Sequence, residues 1–421
     1  MLSILGTILA FAVIVARKQL RIPDFGLALM AGSAVLGFIT MGMSAPGEIP
    51  KAFIEASFYS FSSGRIHTST VELVLLMSLI LTLARTLQET GGIEKLVDSL
   101  RSLLPHGETL GIIPSVYGLM PMVGGAMLSA PMIDSEGDRY GLSQPQKNFL
   151  NIWFRHMWMP VYPVSGAMIL ACSQAFAAIP VHRLVAMNIP MFLAFMTIGT
   201  ITIRRFLKSA PNRGPGKPDA SGLIYLVPIL APLVVYAMLQ PFEMAQIRAL
   251  ILGIAVSIGI VWTLSRVPAP VFTRILRRSI SISLVSAIFG IMIFRQTVDI
   301  TGTGRMIAEL IQVMHLPPVS VILLIPFILA AMTGYNLGAI ALSFPLVEPF
   351  FQILGTGAAG GTSLIYAAAA AGYLISPMHL CNALSSEYLR TDTSRMYPYL
   401  IPACAAVIGV QTLFVMAVST F

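Results

Sequence analysis

SAPMID at residues 129–134 and SFPLVE at residues 343–348 follow one pattern: serine, any residue, proline, two apolar residues, an acid. The copies lie 214 residues apart. Gly124 and Gly338 precede the two serines at that same offset, and Pro163 and Pro377 follow at it. One matched hexapeptide is weak evidence. Several special residue types repeated at a single spacing read as an internal duplication.

The surrounding composition places the duplication in a membrane. The chain is 56% hydrophobic and 10% charged, with a mean hydropathy of +0.82. Soluble domains carry roughly 25% charged residues. Apolar runs of bilayer-crossing length, about 20 residues, recur throughout, and no polar stretch is long enough for a separate soluble domain. The net charge of +8 therefore reads as topology, because Lys and Arg collect in cytoplasmic loops, and not as a nucleic-acid footprint. Cys172, Cys381 and Cys404 all sit in apolar runs, which argues against a disulfide framework. The apolar run 1–16 precedes its basic cluster Arg17, Lys18 and Arg21, the reverse of a signal peptide.

Ten spans are expected, at 1–17, 25–44, 70–88, 149–175, 184–203, 222–239, 247–264, 280–297, 362–388 and 397–420. Two further apolar stretches, 109–133 and 318–350, are interrupted by glycine, proline and polar residues. Irregular backbone at membrane depth survives only where protein or a water-filled cavity covers it. Both stretches read as re-entrant hairpins. The charges fit: 204–221 and 265–279 are basic, and an even number of crossings separates them and the cluster at 17–21. Both termini then face outward. The expected fold is an all-α integral membrane protein of two inverted repeats. Each has five transmembrane helices, a re-entrant hairpin and a broken helix. The first repeat is 1–203, with hairpin 109–133 and broken helix 149–175. A cytoplasmic basic linker, 204–221, follows. The second is 222–421, with hairpin 318–350 and broken helix 362–388. Thr-Gly at 90–91 and 301–302 recurs within them. Arg85/Glu89 and Arg295/Asp299 are spaced for i,i+4 ion pairs. Amphipathic segments at 93–104 and 305–314 read as interfacial arms, and GTGAAGG at 355–361 as a flexible linker. Inverted repeats with matched interruptions point to a secondary transporter and to its binding site.

The stretch MPMVGGAMLSAPMID, followed by NFLNIWFRHMW and a Tyr-Pro pair, resembles an uncharacterised family of prokaryotic membrane proteins, family 401 of the domains of unknown function. The wider layout resembles the ion transporter superfamily of dicarboxylate, citrate, gluconate and short-chain fatty acid carriers. That resemblance implies an elevator: a moving transport domain of hairpins and broken helices on a fixed scaffold, usually as a homodimer. It also implies a multi-pass protein of the prokaryotic cytoplasmic (inner) membrane. The Ser-Asn-Thr signatures of the dicarboxylate carriers are not present as such. Gly-Gly-Ala-Met-Leu-Ser at 124–129 and Thr-Gly-Tyr-Asn-Leu-Gly at 333–338 stand in the hairpin positions.

The candidate solute-binding residues fall in three groups. Gly124, Gly125 and Gly338 would let hairpin backbone approach a solute, while Ser129, Thr333, Asn336 and Ser343 add hydrogen-bonding side chains. The competing reading is helix-to-helix packing of small residues in lipid. Pro163 and Pro377 break long spans, and Tyr162, Ser376, His379 and Asn382 would surround the breaks. Half-helix N-termini attract anions, and carbonyl ends hold Na⁺, so Na⁺ at the hairpin tips and breaks, or H⁺, is the expected coupling ion; no other cofactor is indicated. Arg155 lies about 12 Å along a helix from Lys147, deep enough to be costly without a partner. It either holds a carboxylate with His156 beside it or snorkels to the cytoplasmic surface. Asp134 and Glu348 close the hairpins as caps or ion pairs.

The expected function is secondary active transport of a small solute, an organic anion, with the lipid bilayer as the other partner. The alternatives are an intramembrane enzyme acting on lipid or peptide, and a channel. Protease signatures of the Gly-x-Ser-Gly or Gly-x-Gly-Asp type and a His-Glu-x-x-His zinc motif are missing from the sequence, as is a P-loop for ATP-driven transport.

Overall fold

The computed structural model describes residues 2–104, 106–119, 125–207 and 218–419. The chain folds almost wholly into helices. In order these are α1 (Leu2–Val15), α2 (Phe25–Met41), α3 (Ala45–Ser57), α4 (Ser69–Glu89), α5 (Gly92–Leu103), α6 (His106–Gly118), α7 (Ala126–Arg139), α8 (Gln144–His156), α9 (Gly166–Cys172) and α10 (Val181–Phe206). After residues 208–217, which lie outside the described chain, come α11 (Leu226–Leu239), α12 (Gln246–Ser265), α13 (Ala269–Ser279), α14 (Ile282–Ile300), α15 (Thr303–Val313), α16 (Pro318–Thr333), α17 (Asn336–Val347), α18 (Phe350–Ile353), α19 (Gly357–Ile375), α20 (Leu380–Tyr388) and α21 (Tyr397–Ser419). Eight helical stretches among the described residues are long and apolar enough to cross a membrane. This is an all-α, multi-pass membrane protein.

Packing runs across the chain in matched pairs. α1 lies on α2, and α11 on α12; α2 then crosses to α14 and α12 crosses to α4. α3 packs on α14 and α13 on α4, while α7 reaches α20 and α17 reaches α9. The α2–α14 seam closes backbone to backbone: a methyl group on Gly26 would sit 2.1 Å from the carbonyl of Ser286. Such contact between helices in lipid depends on small residues, since apolar area alone gives no preference for protein over acyl chain. α4 and α14 both end at Thr-Gly. Gly91 and Gly302 take φ of 73° and 63°, a left-handed turn that costs glycine little and other residues more. The turn directs the chain into α5 and α15. α5 buries Ile93, Leu96 and Val97 against α4, α6 and residues 221–225.

The structure departs from the sequence reading in several places. Residues 45–57 form α3, unassigned from sequence, followed by a two-stranded antiparallel hairpin pairing Tyr59 with Ile66 and Ser60 with Arg65. The basic stretch 265–279 is not simply a loop: it holds α13, which buries Phe272 and Ile275. Arg295 and Asp299 approach to 3.6 Å, but Arg85 turns from Glu89 and donates to the carbonyl of Arg278. GTGAAGG is a linker only at its start. Gly360 and Gly361 belong to α19, where a side chain on Gly361 would collide with the Phe351 ring. Lys147, used above as the polar end of its helix, is fully buried and bridges Asp134 and Asp138 of α7 at 2.7 and 2.6 Å.

Candidate functional site

Two helix pairs and two interrupted helices meet at one place. The pairs are α6 with α7 and α16 with α17. The interruptions are residues 157–165, between α8 and α9, and residues 376–379, between α19 and α20. Pro160 and Pro163 in the first, and Pro377 in the second, bring no N–H to continue a helical ladder.

Both breaks expose carbonyls that a low dielectric makes expensive to leave unpaired, and side chains from elsewhere satisfy them. Tyr366 of α19 donates to the Met159 carbonyl at 2.9 Å, and Asn188 of α10 donates to that of Pro160 at 2.9 Å. Ser165 caps α9 by accepting the Met168 N–H at 3.2 Å. At the second break, Asn382 Nδ2 donates to the carbonyls of Leu374 (2.6 Å) and Ser376 (3.2 Å). Tyr397 donates to that of Ile375 at 3.0 Å. Ser376 Oγ donates to the Ala331 carbonyl at 2.6 Å, pinning the break to α16.

The residues just before α7 and α17 rest on the breaks. A methyl group on Gly125 would lie 2.2 Å from Nη2 of Arg155, so the guanidinium covers the first residue before α7. A methyl group on Gly334 would lie 2.5 Å from the Met378 backbone, where φ is already +62°. The breaks also touch each other: the His156 and His379 rings are 4.9 Å apart, edge to face, and Tyr373 lies over His379 at 3.8 Å. Asn336 Nδ2 reaches Met159 Sδ at 3.4 Å, tying the start of α17 to the first break. Arg155 is 4% exposed, so it is buried in protein and not extended to a surface.

Of the expected residues, Gly125, Arg155, His156, Asn336, Ser376, His379 and Asn382 come together here, with Tyr162 inside the first break. Gly124 lies outside the described residues. Ser129 stands a layer away: it donates to Asn151 Oδ1 at 2.6 Å, and Asn151 Nδ2 donates to Ser385 of α20 at 2.8 Å. Thr333 and Ser343 donate to carbonyls of their own helices, Leu329 and Ile340. Gly338 lies against Tyr335 and Phe25. Among the described residues, Asn336 Oδ1, Asn382 Oδ1 and both ring nitrogens of His379 are buried without a hydrogen-bond partner. Native proteins leave few such groups, and each calls for an explanation.

Sequence reasoning passed over Asn148, Asn151, Tyr366, Cys381 and Ser385. The available signal was polar spacing: Asn148 and Asn151 fall one turn apart in α8, facing Ser386 and Ser385. A separate hollow of about 360 Å³, lined by residues such as Glu72, Cys172, Tyr236 and Gln246, includes none of the expected residues.

The fold is similar to that of the Alcanivorax borkumensis YdaH transporter, whose crystal structure is described as having an unusual topology. The TM-score is 0.62 at 15% identity, over 92% of this chain and 95% of that one. No curated protein matches the sequence. Residues 2–418 match one family throughout, and the chain belongs to it: protein of unknown function (DUF401).

Proposed function

We propose that this protein is a secondary active transporter of a small organic anion bearing a carboxylate, coupled to Na⁺ or H⁺. One observation carries the reading: the starts of α7 and α17 and two helix breaks meet around buried polar atoms, at Asn336, His379 and Asn382, that have no partner among the described residues. A solute entering there would satisfy them. The Arg155 guanidinium, in the same cluster, offers a planar pair of donors matched to a carboxylate. A similar fold in a protein described as a transporter supports the class. In this reading the halves 1–203 and 222–421 are inverted repeats, α6–α7 and α16–α17 are re-entrant hairpins, and the exchanged packing of α2 and α12 forms a scaffold. Hairpins and broken helices would move together as an elevator within a homodimer in the cytoplasmic membrane, both termini outside. The carbonyl ends at the breaks would serve the coupling ion. The protein is read as a carrier and not an enzyme.

The test is counterflow in proteoliposomes preloaded with candidate dicarboxylates and monocarboxylates, with Na⁺ and pH gradients varied separately. Saturable, trans-stimulated uptake is expected. Conductance without saturation would make the protein a channel, and absence of flux with every acid would remove the anion reading.

A further inference from the structure

We infer that His156, His379 and Cys381 form a binding site for a soft monovalent metal cation, Cu(I). Each offers one ligand atom, and the three atoms lie within 4.8 Å of one another with all three residues buried. His156 ends α8, His379 caps α20 and Cys381 stands in the first turn of α20, so the group bridges the two breaks. At that limit the sulfur needs to close by about 0.5 Å and each nitrogen by about 0.7 Å to reach ordinary metal–ligand lengths of roughly 2.3 Å and 2.0–2.1 Å, a movement within the reach of side-chain torsions.

The preparation of the ligands is the second line of argument. His156 Nδ1 lies 2.7 Å from the Ile152 carbonyl. A hydrogen bond there fixes the tautomer and leaves Nε2 to bind metal, the outer-shell arrangement common to ligating histidines. His379 is 1% exposed, and neither of its nitrogens has a hydrogen-bond partner among the described residues. A buried imidazole without either hydrogen bond is costly; a metal bond would satisfy one nitrogen. Cys381 is a free thiol, 4% exposed. The Tyr373 ring, 3.8 Å from His379 and 5.4 Å from His156, covers one flank. No fourth His, Cys, Asp or Glu among the described residues joins the group.

Charge selects the ion. Metal binding releases the thiol proton, so Cu(I) with one thiolate and two neutral imidazoles is a neutral unit. Zn(II) in the same set would leave a net positive charge beside Arg155, which a low dielectric penalises. Thiolate softness and threefold coordination also suit Cu(I). This site shares His156 and His379 with the proposed solute cluster, but it does not depend on transport.

The purified full-length protein in detergent, reduced and anaerobic, should be titrated with Cu(I) against a chromophoric Cu(I) chelator. One equivalent per chain is expected. Cys381→Ser and His379→Gln should each weaken binding by more than about 100-fold, beyond the loss of an outer-shell partner alone. Cys172→Ser and Cys404→Ser should bind as the parent does. Monodisperse elution checks the fold, and Cys381→Ala replaces any variant that aggregates. X-ray absorption of the loaded parent should show mixed sulfur and nitrogen ligation, with sulfur lost in Cys381→Ser. No Cu(I) uptake by the parent, or equal uptake by Cys381→Ser, overturns the site. Tight binding of Zn(II) at these residues without Cu(I) overturns the monovalent assignment.

Discussion

Gly125 and Gly334 stand just before α7 and α17, yet they rest on different materials. Gly125 faces the far end of a long charged side chain, Arg155, whereas Gly334 faces main chain at Met378 and His379. A side-chain tip can swing aside; backbone in a closely packed core cannot. The first contact is therefore adjustable and charged, and the second is fixed and neutral. The two glycines thus meet unequal chemistry: Gly125 lies against a charged side chain and Gly334 against main chain.

The comparison can be broken most directly at its charged side. Arg155→Ala should lower proteoliposome uptake by at least roughly 30-fold, as expected when a desolvated charge contact worth about 2–5 kcal/mol is lost. Arg155→Lys should recover little of it, because the planar fork is gone. Full uptake by Arg155→Ala would reduce the meeting of Arg155 and Gly125 to a packing contact. Gly334→Ala should instead cost stability, about 1–3 kcal/mol from the left-handed backbone and its clash, visible as a lower melting temperature in detergent. Gly125→Ala is the counterpart: the guanidinium shifts, melting holds, and uptake falls roughly tenfold, or about 1.4 kcal/mol. Equal melting losses in the two glycine variants would erase the distinction. The serines of the matched hexapeptides give the smallest contrast. Ser129→Ala breaks a bond between helices and should cost about 1 kcal/mol. Ser343→Ala removes only a bond back to its own helix, of a kind that adds little to helix stability, and should cost less than Ser129→Ala, both read by thermal unfolding.

Eight of the ten expected spans were legible because bilayer crossing demands long apolar runs, while 1–17 gives a helix of only 14 residues and 149–175 is divided between α8 and α9; the breaks were legible because proline removes a donor wherever it stands. α3 and α13 escaped for the converse reason. Pro46, Pro50 and two glutamates dilute the first, and Arg274, Arg277 and Arg278 the second, so neither forms an apolar run. The glycines at 360 and 361 read as linker because local propensity was the only guide, whereas close packing, of Gly361 on the Phe351 ring and Gly360 near Val415, calls for small residues inside α19. At the site, Arg155 and His156 stood out as unusual in an apolar span. Their depth was not legible, since periodicity does not reveal which helix covers them. Cys381 and Tyr366 gave no signal. A lone cysteine or tyrosine in an apolar run looks like core until the facing break supplies its neighbours.

Lys147 has a consequence for biogenesis. A buried lysine without a partner would be costly in a membrane; Lys147 stands in the first turn of α8, which carries Arg155 as well. Its carboxylate partners, Asp134 and Asp138, reside in α7, which leaves the ribosome first. α7 thus reaches the translocon holding the charges that make α8 acceptable to lipid. The charge of α8 is thus matched by carboxylates already made when it emerges, so the order of synthesis suits the pairing seen in the fold.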